Sequence, residues 1–432
     1  MNTRETARHL LSFIDRAPDS ANAVSAAAQD LKSRGFMPLS LTTPWQINPG
    51  EKYYVIHRGV TLFAFRVGTG RISSAGMRVI AAHTDSPGLR IKPAAHPDAK
   101  DTYTRLNTEV YGAPILSTWL DRPLSLAGQI FLRGETPFTP RRKIINFARP
   151  LLTIPNIAIH LNRTVNEGME LNRQKDMQPL LSTLSRTLTE KNPLEELISG
   201  ECSCSPEDIV DYDLSVYCCE KGCLLGAQEE FISAPRLDDL AMVRAGLDAL
   251  CDAPTTKETQ ILALFSDEEV GSATFSGAGS PLFRTILEKI AESRDTTSRE
   301  LQQGLYNSFL ISADMAHALH PNAPEKHDPL VRPLLNGGPA VKYSANGKYA
   351  TDGAGAAVFR GLCEKANVPV QSYVNRSDIT GGSTLGSIFT TKVDIPSVDI
   401  GIPMLAMHSA RELCGAEDLW RMTEVFRTFY SE

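Results

Sequence analysis

Glu268 and Glu269 stand side by side after a short apolar run, Ile261-Leu262-Ala263-Leu264-Phe265, and are followed by Val270-Gly271-Ser272. Two adjacent carboxylates where an apolar strand meets a turn repel each other, and neither tolerates burial without a partner. A cation resolves the conflict: one carboxylate binds a metal while its neighbour handles protons on water held there. Four further places put metal-donor side chains just past an apolar run. They are His83-Thr84-Asp85 after Val79-Ile80-Ala81-Ala82, Asp238-Asp239 after Pro235-Arg236-Leu237, Asp314 after Ile311-Ser312-Ala313, and His408 after Leu405-Ala406-Met407. Two histidines with several carboxylates suit a pair of zinc ions, with imidazole on each metal and a carboxylate bridging them. Such a pair, about 3.5–4 Å apart, activates a bridging water and holds a developing oxyanion. His83 and Asp85 are two residues apart, so in an extended segment both side chains face the same way. The Asp85 carboxylate is then expected to accept the outer N–H of His83 and set its tautomer. Each motif also has a plain structural reading. A histidine after a strand is often solvated or satisfied locally, Asp238-Asp239 can cap the helix that follows, and Asp314 can be a turn residue. Their joint occurrence points to a metal centre.

In open α/β sheets, ligands bind outside the carboxyl ends of the strands, so these donors require strands that end on one rim. The chain supplies them. Ala7, Leu10, Leu11 and Ile14 recur at helical spacing, and Ser20 is the expected N-cap of a second helix over 21–34, stopped by Gly35. Runs 53–56, 61–67 and 77–82 read as strands, the third apolar enough to be covered on both faces. From Pro235 onward, helices over 240–251, 281–292, 353–366 and 417–429 alternate with strands over 260–265, 308–313, 370–374 and 397–400. The polar segment 293–304 reads as a surface loop or a short exposed helix. Residues 95–232 differ. They carry β-type runs at 115–119, 124–132, 143–147, 157–161, 214–217 and 230–234, with a polar, helix-prone stretch over 166–200 broken at Lys191-Asn192-Pro193. This reads as a β-rich domain inserted into an α/β domain made of residues 1–94 and 233–432.

At 432 residues the chain is long enough for two or three domains, and its formal net charge of −6 with a 22% charged content argues against a nucleic-acid partner. No apolar stretch approaches the roughly 20 residues of a membrane span. The first residues show no basic-then-apolar leader pattern, so the cytoplasm is the expected location. Eight cysteines are too sparse for a disulfide scaffold. Five of them, Cys202, Cys204, Cys218, Cys219 and Cys223, cluster, but their spacing fits no common zinc pattern, and a structural role is expected.

The ordered motifs Ala81-Ala82-His83-Thr84-Asp85-Ser86-Pro87-Gly88, Ile159-His160-Leu161-Asn162-Arg163, Ala234-Pro235-Arg236-Leu237-Asp238-Asp239-Leu240, Glu268-Glu269-Val270-Gly271-Ser272, Ser312-Ala313-Asp314-Met315-Ala316-His317, Gly381-Gly382-Ser383-Thr384-Leu385-Gly386 and Met407-His408-Ser409-Ala410-Arg411-Glu412 run almost end to end. Together they resemble the aspartyl aminopeptidase family of dinuclear-zinc exopeptidases. The resemblance implies a three-layer α/β/α metallopeptidase domain around a mixed, mostly parallel sheet, with the insertion serving dimerisation. It implies that His83, Asp314 and a bridging Asp238 hold one zinc, and Asp238, Glu269 and His408 the other, with manganese or cobalt as substitutes. Glu268 would be the general base, with Asp85 and His160 as further catalytic residues. His160 would reach a neighbouring subunit's site, and Lys342 and Tyr349 would bind substrate. Dimers would assemble into dodecamers. The chain departs from the family after the bridging aspartate, where relatives often carry asparagine and Asp239 stands here. The expected activity is removal of an N-terminal Asp or Glu from peptides with a free N-terminus. The rival readings are a preference for neutral residues on the same metals, another dinuclear amide hydrolase, and an inactive assembly protein of the same fold.

Overall fold

The computed structural model describes residues 1–93, 103–183 and 192–432. The expected boundary at 94 and 95, and Lys191 of the expected break, lie outside the described residues. The chain divides into two compact units. The first is Met1–Asp85, Gly222–Met407 and Glu412–Glu432; the second is Ser86–Lys221 with His408–Arg411.

The first unit is built on a nine-stranded sheet in the order Met37–Leu39, Lys52–His57, Thr61–Arg66, Thr259–Phe265, Met77–His83, Phe309–Ala313, Ser397–Gly401, Ala340–Tyr343, Gln371–Val374. Among these described strands five neighbouring pairs are parallel and three antiparallel, a mixed and mostly parallel sheet. Side chains alternate across a strand, and this alternation splits the apolar residues into two cores. Ile80, Ala82, Leu62, Ala64, Leu262 and Leu264 face one way, onto the helices Thr3–Arg16, Ser20–Ser33, Leu237–Asp252, Gly353–Lys365 and Ala416–Ser431. Val79, Ala81, Phe63, Phe65, Ile261, Ala263 and Phe265 face the other, onto Leu282–Glu292, Ser298–Tyr306 and Leu385–Phe389. A strand covered on both faces must be apolar throughout, which is why Ile261–Phe265 has no polar position. A second sheet of five short strands contains Phe231–Ala234 and Glu412–Gly415, paired antiparallel.

Several helices begin where a side chain can satisfy the unpaired first N–H groups. Asn2 and Glu5 form a reciprocal capping box on Thr3–Arg16. For the next helix the structure corrects the expected cap: Asp19, not Ser20, accepts the Asn22 N–H at 3.1 Å. A carboxylate is the stronger acceptor at the positive end of the helix dipole, so the helix begins one residue earlier. The segment expected as a loop or short exposed helix contains the helix Ser298–Tyr306, opened by a Thr297–Glu300 capping box.

The second unit holds a five-stranded antiparallel sheet ordered Thr108–Tyr111, Gly88–Ile91, Ile209–Cys218, Leu124–Leu132, Arg141–Asn146, with the helix Pro193–Cys202. Two expected strands are absent. Leu116–Trp119 is a 3₁₀ turn, and 157–161 is a turn closed by the Leu161 N–H on the Ala158 carbonyl at 2.8 Å. Ile157, Ile159 and Leu161 of that turn are exposed. An alternating apolar pattern makes a strand only when another strand supplies ladder partners, and no strand among the described residues pairs with this one. Among the described residues no helix is long and apolar enough to cross a membrane.

Candidate metal centre

Three adjacent parallel strands of the first unit, Thr259–Phe265, Met77–His83 and Phe309–Ala313, end on one rim, with Phe265 in register with His83 and Ser312 with Ala81. His83 closes its strand, Asp314 follows the third, and Glu268-Glu269 follow the first by way of Asp267, whose φ of 60° turns the chain back. Asp238 arrives from the turn after Phe231–Ala234, behind Arg236 at φ 57°. A non-glycine residue in the left-handed region costs on the order of 1–3 kcal/mol and persists where the surroundings over-determine it. Here two such residues immediately precede the donor-bearing turns.

His83 is buried. Its Nε2 lies 3.3 Å from Asp238 Oδ1 and 3.7 Å from Asp314 Oδ1. Its Nδ1 lies 3.0 Å from the Asp85 backbone carbonyl, so a proton there leaves the Nε2 lone pair directed at the two aspartates. The structure adds a nearer acceptor to the one expected of the Asp85 side chain. The backbone oxygen is the nearer partner of Nδ1, and the carboxylate stands 3.5 Å from the same nitrogen. That carboxylate also accepts the N–H groups of Glu268 at 3.2 Å and Glu269 at 3.1 Å, pinning the acidic turn to the end of the histidine strand. The His83 N–H donates to Asp239 Oδ2 at 3.0 Å, and the Asp238 N–H to Glu412 Oε2 at 3.1 Å. Glu412 is a positioning residue that sequence reasoning did not single out; it stands four residues past His408 in the last matched motif.

The electrostatics is that of a cluster with more negative charge than its surroundings compensate. Burial opposes a charge on His83, but Asp239, Asp238, Asp314 and Asp85 outweigh it and hold the imidazole well above its usual range. Burial raises the Asp239 carboxyl well above normal, and Asp314 and Asp238 add to this against the opposing effect of His83. Glu268 is likewise pushed up, by burial first and then by Asp314, Glu269 and Asp85, with His83 opposing. Asp239 Oδ1 is buried and has no hydrogen-bond partner among the described residues. A divalent cation fits these donors. A tetrahedral site with ligand distances of about 2.0–2.1 Å spaces its donors roughly 3.3 Å apart, the His83–Asp238 spacing found here. Donor atoms of His83, Asp238, Asp239 and Asp314 all lie within 4.8 Å of one another, as do those of His83, Glu268 and Glu269. Among the described residues no such group includes a cysteine.

Lys342, on the strand Ala340–Tyr343, is buried with its Nζ 2.9 Å from Asp314 Oδ2 and 5.7 Å from the centre of the Tyr349 ring. Burial disfavours its charge, but Asp314 and Tyr349 raise its pKa above the usual lysine value. His408 belongs to the second unit. Its φ is 67° and its Nδ1 lies 3.1 Å from the Ala113 carbonyl, which leaves Nε2 as the acceptor nitrogen when Nδ1 carries the proton. His160 is exposed on the 157–161 turn of the same unit.

An α/β sheet that brings imidazole and carboxylate donors to the carboxyl ends of adjacent parallel strands is the architecture of a metal-binding enzyme. Residues 13–430 match the family profile described as aminopeptidase I zinc metalloprotease (M18). The chain is 45% identical over 430 residues to a probable M18 family aminopeptidase 2 of Clostridium novyi (strain NT), covering 100% of this chain and 99% of that one. It is 38% identical over 429 residues to the corresponding protein of Ectopseudomonas mendocina (strain ymp), covering 99% and 98%. Among solved structures, a chain of the Ape4 and Nbr1 complex determined by cryo-EM superposes with a TM-score of 0.94 at 34% identity, over 99% of this chain and 86% of that one. The S. cerevisiae mApe1 dodecamer gives 0.86 at 26% identity, over 100% and 97%. The chain belongs to the M18 family of zinc metalloproteases, and its activity is that of a metallo-aminopeptidase.

Proposed function

We propose that this aminopeptidase removes an N-terminal Asp or Glu from peptides with a free N-terminus, using two zinc ions per subunit for which manganese or cobalt can substitute. The convergence of His83, Asp238 and Asp314 at 3.3–3.7 Å beside the Glu268-Glu269 turn supports this reading most directly. His83, Asp238 and Asp314 would hold one ion; Asp238, Glu269 and His408 would hold the other. When bound, the pair supplies Lewis-acid polarisation of the scissile carbonyl and a water more acidic than bulk water. Glu268 is the general base: its carboxylate takes the proton of the attacking water and returns it to the leaving amine. Asp85 serves it by holding the backbone N–H groups of Glu268 and Glu269. A substrate carboxylate entering a closed site requires a cation. Lys342 is that cation, since an ammonium has three N–H donors and one is directed at Asp314. Tyr349 lines the same position.

Self-association belongs to the same proposal. The inserted residues 95–232 pair subunits, the dimers assemble into a dodecamer, and His160 reaches across a dimer to help hold the carbonyl oxygen. The exposed Ile157, Ile159 and Leu161 beside His160 supply apolar surface for such a contact. The cytoplasm is the proposed location. The decisive experiment is a panel of aspartyl, glutamyl and leucyl substrates, read with metal-depleted protein and after restoration with zinc or manganese. Turnover should return with metal and favour the acidic residues. A leucyl preference overturns the acidic assignment.

A further inference from the structure

Asp399 is fully buried midway along the strand Ser397–Gly401, and the hydrolytic reading gives it no task. A buried carboxylate carries a large desolvation cost unless its oxygens are engaged; besides the Ser312 hydroxyl on the adjacent strand, these oxygens hold two different loops. Oδ2 accepts the Ala350 N–H at 2.5 Å, and Oδ1 accepts the Thr384 hydroxyl at 2.6 Å. The Asp399 N–H donates to Thr351 Oγ1 at 2.9 Å, a second tie to the turn that carries Tyr349. The helix Leu385–Phe389 that follows Thr384 also approaches closely: a Cβ on Gly386 would stand 2.3 Å from Asp399 Oδ2. The two loops also meet through aromatic residues. Asn375 accepts the Tyr373 hydroxyl at 2.6 Å and donates to the Tyr349 hydroxyl at 3.4 Å. Beyond Asn375, the segment from Ser377 to Thr380 and Gly382-Ser383 are exposed, while Thr384 is buried.

We propose that Asp399 is a positioning residue for substrate binding, its two carboxylate oxygens holding the Tyr349 turn and the 375–384 loop in register with Lys342. This rests on the reading of Lys342 and Tyr349 as substrate-binding groups. Asp399 also meets Ser312, two residues before Asp314, whereas the Thr384 hydroxyl donates to Asp399; loss of that hydroxyl should therefore weaken substrate binding and spare the chemistry.

The test compares Thr384→Val, which removes the hydroxyl donor at constant shape, with Thr384→Ser, which keeps it. Asp399→Asn serves as the second variant. With a peptide bearing N-terminal Asp, Thr384→Val and Asp399→Asn should raise KM about tenfold, the loss of one hydrogen bond to a charged group, with kcat and metal content near wild type. Thr384→Ser should restore KM. Tryptic cleavage after Arg376, whose side chain is 41% exposed, should accelerate in Thr384→Val and not in Thr384→Ser; this readout is independent of turnover. Wild-type KM and wild-type cleavage in Thr384→Val, or a serine variant that behaves like the valine variant, overturns the proposal. A wild-type protein that hydrolyses only neutral N-terminal residues strikes the acidic reading instead, and the tryptic comparison still decides whether Asp399 tethers the loop.

Discussion

In the proposed mechanism Glu268 is the base, and its neighbours divide the remaining work. Asp85 spends both carboxylate oxygens on the backbone N–H groups of Glu268 and Glu269, which fixes where the two acidic side chains project. Glu268→Gln preserves shape and hydrogen-bonding size but cannot take a proton. It should lower kcat by about 10²–10⁴-fold, the usual scale for general acid–base catalysis, with metal content and Tm unchanged; near-normal kcat in the folded variant would remove Glu268 from that role. The same crowding predicts how the metal-free protein responds to pH. His83, Asp239 and Glu268 all have folded-state pKa values raised above their ordinary ones. The native state therefore binds more protons than the unfolded chain, and the stability they contribute is complete at low pH and lost as pH rises through the raised values. Metal binding needs the deprotonated ligands and strengthens with pH. Between about pH 5 and 8, Tm in chelator should fall relative to Tm in zinc, and the gap should widen with pH. Parallel curves would show that the cluster is not the metal site.

Among the helices, a buried ionic network locks Thr3–Arg16, Ser20–Ser33 and Leu237–Asp252 together. Arg244 lies 2.6 Å from Asp30 and in contact with Asp248, Arg16 lies 2.9 Å from Asp30, and His9 Nδ1 lies 3.3 Å from Asp248. Arg244 and Asp248 are almost wholly buried. Removing one partner strands a buried charge, so Arg244→Ala should cost about 3–5 kcal/mol in denaturant unfolding. The double replacement Arg244→Met with Asp248→Leu should recover most of that loss, because it removes both charges and keeps the volume. Additive losses would mean the pair is not coupled. The sequence shows the helices through their apolar spacing, but this network joins residues up to 239 positions apart and has no local signature. The missing strand at 157–161 has the same cause. An alternating pattern describes a side-chain arrangement, while a strand also needs a neighbour's backbone.

At the scale of the whole molecule, the second unit carries the exposed apolar turn and His160, and the proposed self-association is decided there. Leu161→Asp places a charge on a side chain that is 83% exposed in the single chain. It should leave the fold intact and reduce the assembled mass seen by light scattering, because a charge in a closed apolar interface lacks a partner. An assembly of unchanged mass excludes this turn from the interface. If His160 acts across subunits, mixing His160→Ala with Glu268→Gln protein should regenerate some activity in confirmed mixed dimers; the absence of any regain refutes the exchange.

The sequence alone determined the donor types, because each stands just past an apolar run, and local hydropathy marks where strands end. It also marked Asp239 as an extra negative charge at the centre. What it could not decide was which atoms meet. The carbonyl of Asp85 stands nearer His83 Nδ1 than its carboxylate does, Asp239 accepts the His83 N–H, Glu412 holds Asp238, and Asp399 ties two loops. Apart from the local His83–Asp85 contact, these join segments distant in the chain. Their distances are set by strand order and register, quantities that exist only once the sheet has closed.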